Sequence, residues 1–147
     1  MIELRNSSSL TQVQQNFRQK KITLARLRPF HQEAGAVLLE WVQGNIEAQG
    51  KMLRENSGGW PPLAASTLAS RRRRGRGTQI MVDSGRLRRS FRLLTEPNRA
   101  KIVNTAPYAH YHQSGKGVPR RPLFPQVAQA EKIISPIAVQ FVQRSLQ

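Results

Sequence analysis

Cysteine is absent from this 147-residue chain. That excludes disulfides and thiolate zinc sites, and it fits a protein made in a reducing cytoplasm. Acids are scarce: 8 Asp and Glu stand against 24 Lys and Arg, for a formal charge of +16 and a pI near 11.8. Only 38% of residues are hydrophobic and 6% aromatic, so the core is expected to be modest. No apolar run approaches the ~20 residues needed to span a bilayer. Met1-Ile2-Glu3-Leu4-Arg5-Asn6 lacks the apolar core of a signal peptide. The expectation is a soluble chain, not exported by a cleaved signal, with no membrane partner and, from its length, a single domain over 1–147.

Catalytic chemistry is equally short of material. Asp83 is the sole aspartate, and beyond it the second half of the chain offers only Glu96 and Glu131 as carboxylates. General acid–base catalysis needs positioned acids or histidines, and a nuclease needs metal-binding acids. Arg74-Gly75-Arg76-Gly77 lacks the Lys-Ser/Thr ending of a phosphate-binding P-loop. His110-Tyr111-His112 is the one spacing suggestive of a metal, and histidines at i and i+2 share a face only on a strand. No acid lies within that segment, whereas zinc takes three or four ligands. The expectation is a protein that is not an enzyme and holds no cofactor or metal.

What the chain does have is arginine. Asp83-Ser84-Gly85-Arg86-Leu87-Arg88-Arg89-Ser90-Phe91 stands at its centre, preceded by Arg71-Arg72-Arg73-Arg74-Gly75-Arg76-Gly77. Asp83 or Ser84 can cap a short helix, on which Leu87 and Phe91 share a face among Arg86, Arg88 and Arg89. High charge and two glycines predict that 71–78 is a mobile basic loop. The arginines Arg71, Arg72, Arg73, Arg74, Arg76, Arg86, Arg88 and Arg89 are therefore candidates for contact with DNA or with a protein partner. An ordinary solvated loop leading into a short helix accounts for the same local pattern. Such a charge excess bears on partners rather than on fold.

The surrounding pattern predicts α+β: a small antiparallel sheet packed with a long central helix and a C-terminal helix, with extended basic loops. Residues 1–28 read as a variable strand and helix, with a strand at Ile2–Arg5 and Leu10, Val13 and Phe17 at helical spacing after a Ser9 cap. The long helix is expected over about Pro29–Leu53, with Ala34, Val37, Leu38, Trp41, Val42 and Ile46 as its apolar stripe. Glu33, Glu40, Glu47 and Glu55 lie near the other side. Gly35, Gly44 and Gly50 weaken that helix unless they admit a close neighbour. Trp60-Pro61-Pro62-Leu63 is rigid and extended, with Trp60 and Leu63 expected to pin it onto the helix. Ile80-Met81-Val82 packs back. Phe91–Thr95, the turn Glu96-Pro97-Asn98 and Ala100–Asn104 read as a hairpin. Val118–Phe124 is another extended piece, an edge-strand candidate, and Pro136 is expected to kink or split the last helix.

The order of these motifs resembles the phage virion morphogenesis, or tail completion, family of tailed bacteriophages. The likeness runs over roughly residues 30–135, giving a 29–135 core followed by a helix end at 136–147. It rests on Gly58-Gly59-Trp60 with Pro62-Leu63 and Thr67, then Ile80 to Leu87 with Ser90, then Pro107-Tyr108-Ala109 with His112-Gln113 and Gly115, then Pro119-Arg120-Arg121-Pro122-Leu123-Phe124. Each motif is weak alone; their order and spacing carry the likeness. The resemblance implies Trp60, Leu63, Gly85, Leu87, Tyr108, His112, Gly115, Pro119 and Arg121 as structural motif residues, with Tyr108, His112 and Gln113 anchoring a loop. It implies a virion protein of the phage neck, assembled in the host bacterial cytoplasm, that completes the tail and joins it to the head. The implied partners are further copies of itself in a hexameric ring, the neighbouring tail-terminator, tail-tube or head-connector rings, and double-stranded DNA in the lumen. Among competing classes, a free-standing basic nucleic-acid-binding protein without catalysis comes next, on charge alone. For Arg71–Arg74 the preferred partner is protein, because the glycines favour an extended arm and tight phosphate binding would hinder DNA passage.

Overall fold

The computed structural model describes residues 27–53 and 58–146. The strand expected at Ile2–Arg5, the helix expected around Leu10, Val13 and Phe17, and Glu55 lie outside them. The element order is α1 Arg28–Glu47, α2 Ala65–Arg73, α3 Arg86–Arg89, β1 Phe91–Glu96, β2 Arg99–Asn104, α4 Ala109–Ser114 and α5 Val127–Leu146. The architecture is α+β: a two-stranded antiparallel hairpin with α1 laid across it and α5 packed along α1.

Alternation places the hairpin on α1. Leu93 pairs with Ile102 and Thr95 with Ala100 on the face toward the helix, whereas Leu94, paired with Lys101, stays exposed. Gly35 permits the approach, since a Cβ there would stand 2.5 Å from Leu93 Cδ1 and 3.1 Å from Ala100 Cβ. Val42 and Ile46 continue the buried stripe into a core with Trp60, Met81, Leu87, Phe91 and Leu123. Pro29 falls in the first turn of α1, where its missing N–H removes no helical bond.

The long helix ends six residues earlier than its pattern suggests. Gln49 and Gly50 take φ of +56° and +82°, and the Gly50 N–H donates to Asn45 O at 2.9 Å, a left-handed termination that glycine makes cheap. The chain then turns so that Leu53 is buried and Trp60 lies on Gly50. Two further expectations are corrected. Val118–Phe124 is not an edge strand: side chains and single backbone groups hold it, with Gln113 Oε1 accepting from the Leu123 N–H at 2.7 Å and His112 O from the Arg121 N–H at 2.7 Å. Pro136 does not split α5, which runs through it as one helix. The buried Ile137, with packing along α1, offsets the roughly 3 kcal/mol that an interior proline costs.

Candidate functional site

The arginine stretch is not a mobile loop at its start. α2 extends through Arg73, and Arg71 on its inner side is only 7% exposed. Its Nη1 donates to the carbonyls of Gly77 (3.2 Å), Gln79 (2.7 Å) and Val82 (3.2 Å), and its Nε lies 3.5 Å from Asp83 Oδ1. One guanidinium thus folds 77–83 back against the helix that carries it. Helical periodicity explains the difference from the sequence expectation: at position 71 the chain is still in register with Leu68 and Thr67, which are half-buried, while Arg72 and Arg73 turn outward. The buried cation is tolerable because carbonyls and a carboxylate surround it.

The remaining arginines divide by partner. Arg76 pairs with Asp83 and Arg88 with Glu47. Arg74 donates to Ser70 O at 3.2 Å and Oγ at 3.1 Å, and Arg89 to Ser84 O at 2.8 Å. Those three bonds satisfy donors without cancelling charge. Arg72, Arg73 and Arg86 are exposed, with no side-chain hydrogen bond or ion pair among the described residues. The structure therefore leaves Arg72, Arg73, Arg74, Arg86 and Arg89 exposed and without a carboxylate partner among the described residues, and turns Arg71 inward.

Neither Asp83 nor Ser84 caps α3. Gly85 occupies the cap at φ +71°, and Ser84 Oγ accepts only a 3.4 Å bond from the Arg86 N–H. The helix is a single turn that ends at Arg89, so Phe91 does not share its face with Leu87 as expected: Leu87 (2% exposed) enters the core from the helix and Phe91 from the first position of β1. Asn104 then locks the end of the hairpin to this turn: its Nδ2 donates to Leu87 O at 3.1 Å and its Oδ1 accepts from the Ala106 N–H at 2.8 Å.

Residues from the separate motifs meet in space. Leu63, Gly85, Leu87, Tyr108, His112 and Arg121 border one cavity of about 360 Å³, with Arg71, Met81, Asp83, Ser84 and Arg86 completing its wall. Arg121 is 5% exposed and donates from Nε to Pro61 O and from Nη2 to Pro62 O, both at 3.0 Å. Trp60 Nε1 donates to Pro122 O at 3.0 Å. These bonds tie the two proline-stiffened segments together. Gly115, at φ +78°, ends α4 with its N–H on Tyr111 O, and a Cβ there would stand 2.9 Å from Arg120 Cβ. Pro119 lies exposed in the loop that follows.

His110 and His112 lie on a helix, α4, so their side chains diverge. His110 stacks against Tyr111 at 3.8 Å between ring centroids, while Tyr108 meets His112 edge-on at 6.4 Å. Burial, and then the nearby Arg121 charge, hold the His112 imidazole below its usual pKa, and its Nδ1 is buried without a partner. Among the described residues there is no group of three or more potential metal ligands, and no helix is long and apolar enough to cross a membrane.

The amides were the least visible in the sequence. Gln49 accepts from the Ile80 N–H at 2.5 Å and donates to Ile80 O at 3.2 Å, pairing with that residue as a strand neighbour would. A glutamine beside a helix-ending glycine carries no sequence signal for such a role.

A family model for the phage virion morphogenesis family matches residues 8–140. The chain belongs to that family. No curated protein and no solved structure matches the chain. Family membership points to a structural or assembly role in the phage virion rather than a catalytic one, and makes the protein a virion component. The match extends beyond the 30–135 likeness in both directions and takes in part of the N-terminal segment.

Proposed function

We propose that this virion morphogenesis protein is a non-catalytic subunit of the phage neck that completes the tail and joins it to the head, as a hexameric ring around the DNA channel. One observation carries the reading beyond the family: on a chain of that family, Arg72, Arg73, Arg74, Arg86 and Arg89 are exposed, and no carboxylate of the described residues cancels their charge. A joint between two rings needs a surface of this kind, because charge complementarity steers docking and sets register. Arg71 is outside the proposed contact, being engaged within its own subunit.

Deleting the gene should leave filled heads and unjoined tails; normally joined virions would overturn the reading. Replacing Arg72, Arg73 and Arg74 together by alanine should block joining while the subunit stays folded. A variant that joins normally but leaks packaged DNA would move these side chains to the channel lining. Tight binding of the free protein to DNA or RNA, with a steep salt dependence and no association with neck assemblies, would favour the nucleic-acid-binding alternative.

A further inference from the structure

The cavity described above combines cations with an apolar floor. Arg71, Arg86 and Arg121 border it, and its one carboxylate, Asp83, is already engaged by Arg71 and Arg76. Arg71 and Arg121 are each more than nine-tenths buried, and apart from Asp83 their partners are neutral carbonyls. Nη1 of Arg121 and the whole Arg86 side chain have no acceptor among the described residues. Burial and the neighbouring Arg71 both weigh against the charge on Arg121, and His112 Nδ1 is buried without a partner. An anion placed here would relieve a like-charge cluster and give the unbonded donors of Arg86 and Arg121 a charged acceptor.

We propose that this cavity receives a carboxylate side chain from an acidic segment of a partner polypeptide. The carboxylate oxygens sit between Arg86 and Arg121, while the methylene stem packs on Leu63, Met81 and Leu87. Guanidinium groups match the two oxygens of a carboxylate. A duplex phosphate would instead bring hydrated sugars against those three apolar side chains, removing their water without replacing its hydrogen bonds. The pocket's chemistry stands without the neck assignment; that its partner belongs to an adjoining ring rests on that reading.

The test uses the purified full-length protein at pH 7. Its His112 imidazole and Leu87 methyl NMR signals are followed while N-acetyl-leucyl-glutamyl-leucinamide, the glutaminyl counterpart, or inorganic phosphate is added. Saturable shifts with the glutamyl peptide, none with the glutaminyl one, and at least about tenfold weaker binding of phosphate are expected. Arg86→Gln should weaken the glutamyl peptide about tenfold or more without altering thermal unfolding, because the Arg86 side chain is exposed and holds no bond among the described residues. Equal response to the glutaminyl peptide, phosphate binding as tight as the glutamyl peptide, or no saturable shift with the latter would each overturn the proposal. None of these outcomes depends on whether phage heads and tails join.

Discussion

Gly50 lies directly under the indole of Trp60: a Cβ on Gly50 would stand 2.4 Å from Cδ1 and 2.5 Å from Nε1. The same residue holds φ at +82° to end α1, and the Trp60 N–H donates to Gln49 O at 2.8 Å. Gly50→Ala therefore meets both backbone strain and a clash with a buried ring. The expected loss is about 2–4 kcal/mol of unfolding free energy, read from urea denaturation. A wild-type midpoint would show that the indole can move aside.

Gly35 and Gly44 occupy the same helix in opposite circumstances. Gly35→Ala gains roughly 1 kcal/mol of helix propensity but crowds Leu93 and Ala100, so a net loss of about 1 kcal/mol is expected. At Gly44 the nearest atom to a new Cβ is Met52 Sδ at 3.4 Å, an ordinary contact. Gly44→Ala should stabilise by about 0.5–1 kcal/mol. Equal effects at the two sites would refute the account of the α1–hairpin approach.

Arg71 is separable from its neighbours by stability alone. Arg71→Ala leaves the Gly77, Gln79 and Val82 carbonyls without their shared donor and Asp83 without its buried partner, at an expected cost of about 3 kcal/mol. Arg72→Ala and Arg73→Ala should stay within about 0.5 kcal/mol of wild type. Trypsin supplies a second readout: cleavage after Arg76 should accelerate in Arg71→Ala and not in Arg72→Ala.

Below neutral pH, two groups of the described residues contribute with a known direction. The folded imidazole of His112 resists protonation, so below about pH 6.5 the unfolded chain takes up a proton that the folded chain refuses. Stability is then full above that pH and falls as pH drops toward the depressed folded value. His112→Gln should flatten this part of the profile. Glu96 is held below the usual carboxylate value by its hydrogen bond to Arg99, with that charge and Lys101 adding. Its contribution is present above the usual value and is lost at lower pH, so Glu96→Gln should flatten only the more acidic limb. A profile unchanged in both variants would refute the assignment.

The hairpin and the apolar stripe of α1 were legible in the sequence because they follow from local periodicity. Residues two, three or four apart must share a face whatever the rest of the chain does. The cationic character of 71–89 was legible for the same reason, since composition is itself the observation. Helical register puts Arg71 on the face of Thr67 and Leu68, but tertiary structure alone extended α2 through Arg73 and made that face the inner one. It alone ended α1 at Glu47, through the seat that Gly50 offers to a tryptophan ten residues later. It also brought Leu63, Leu87, His112 and Arg121 to one cavity. Sequence order and spacing related these motifs, but their meeting depends on carbonyls of Pro61, Pro62 and Pro122, acceptors that every residue possesses and no side-chain pattern reveals.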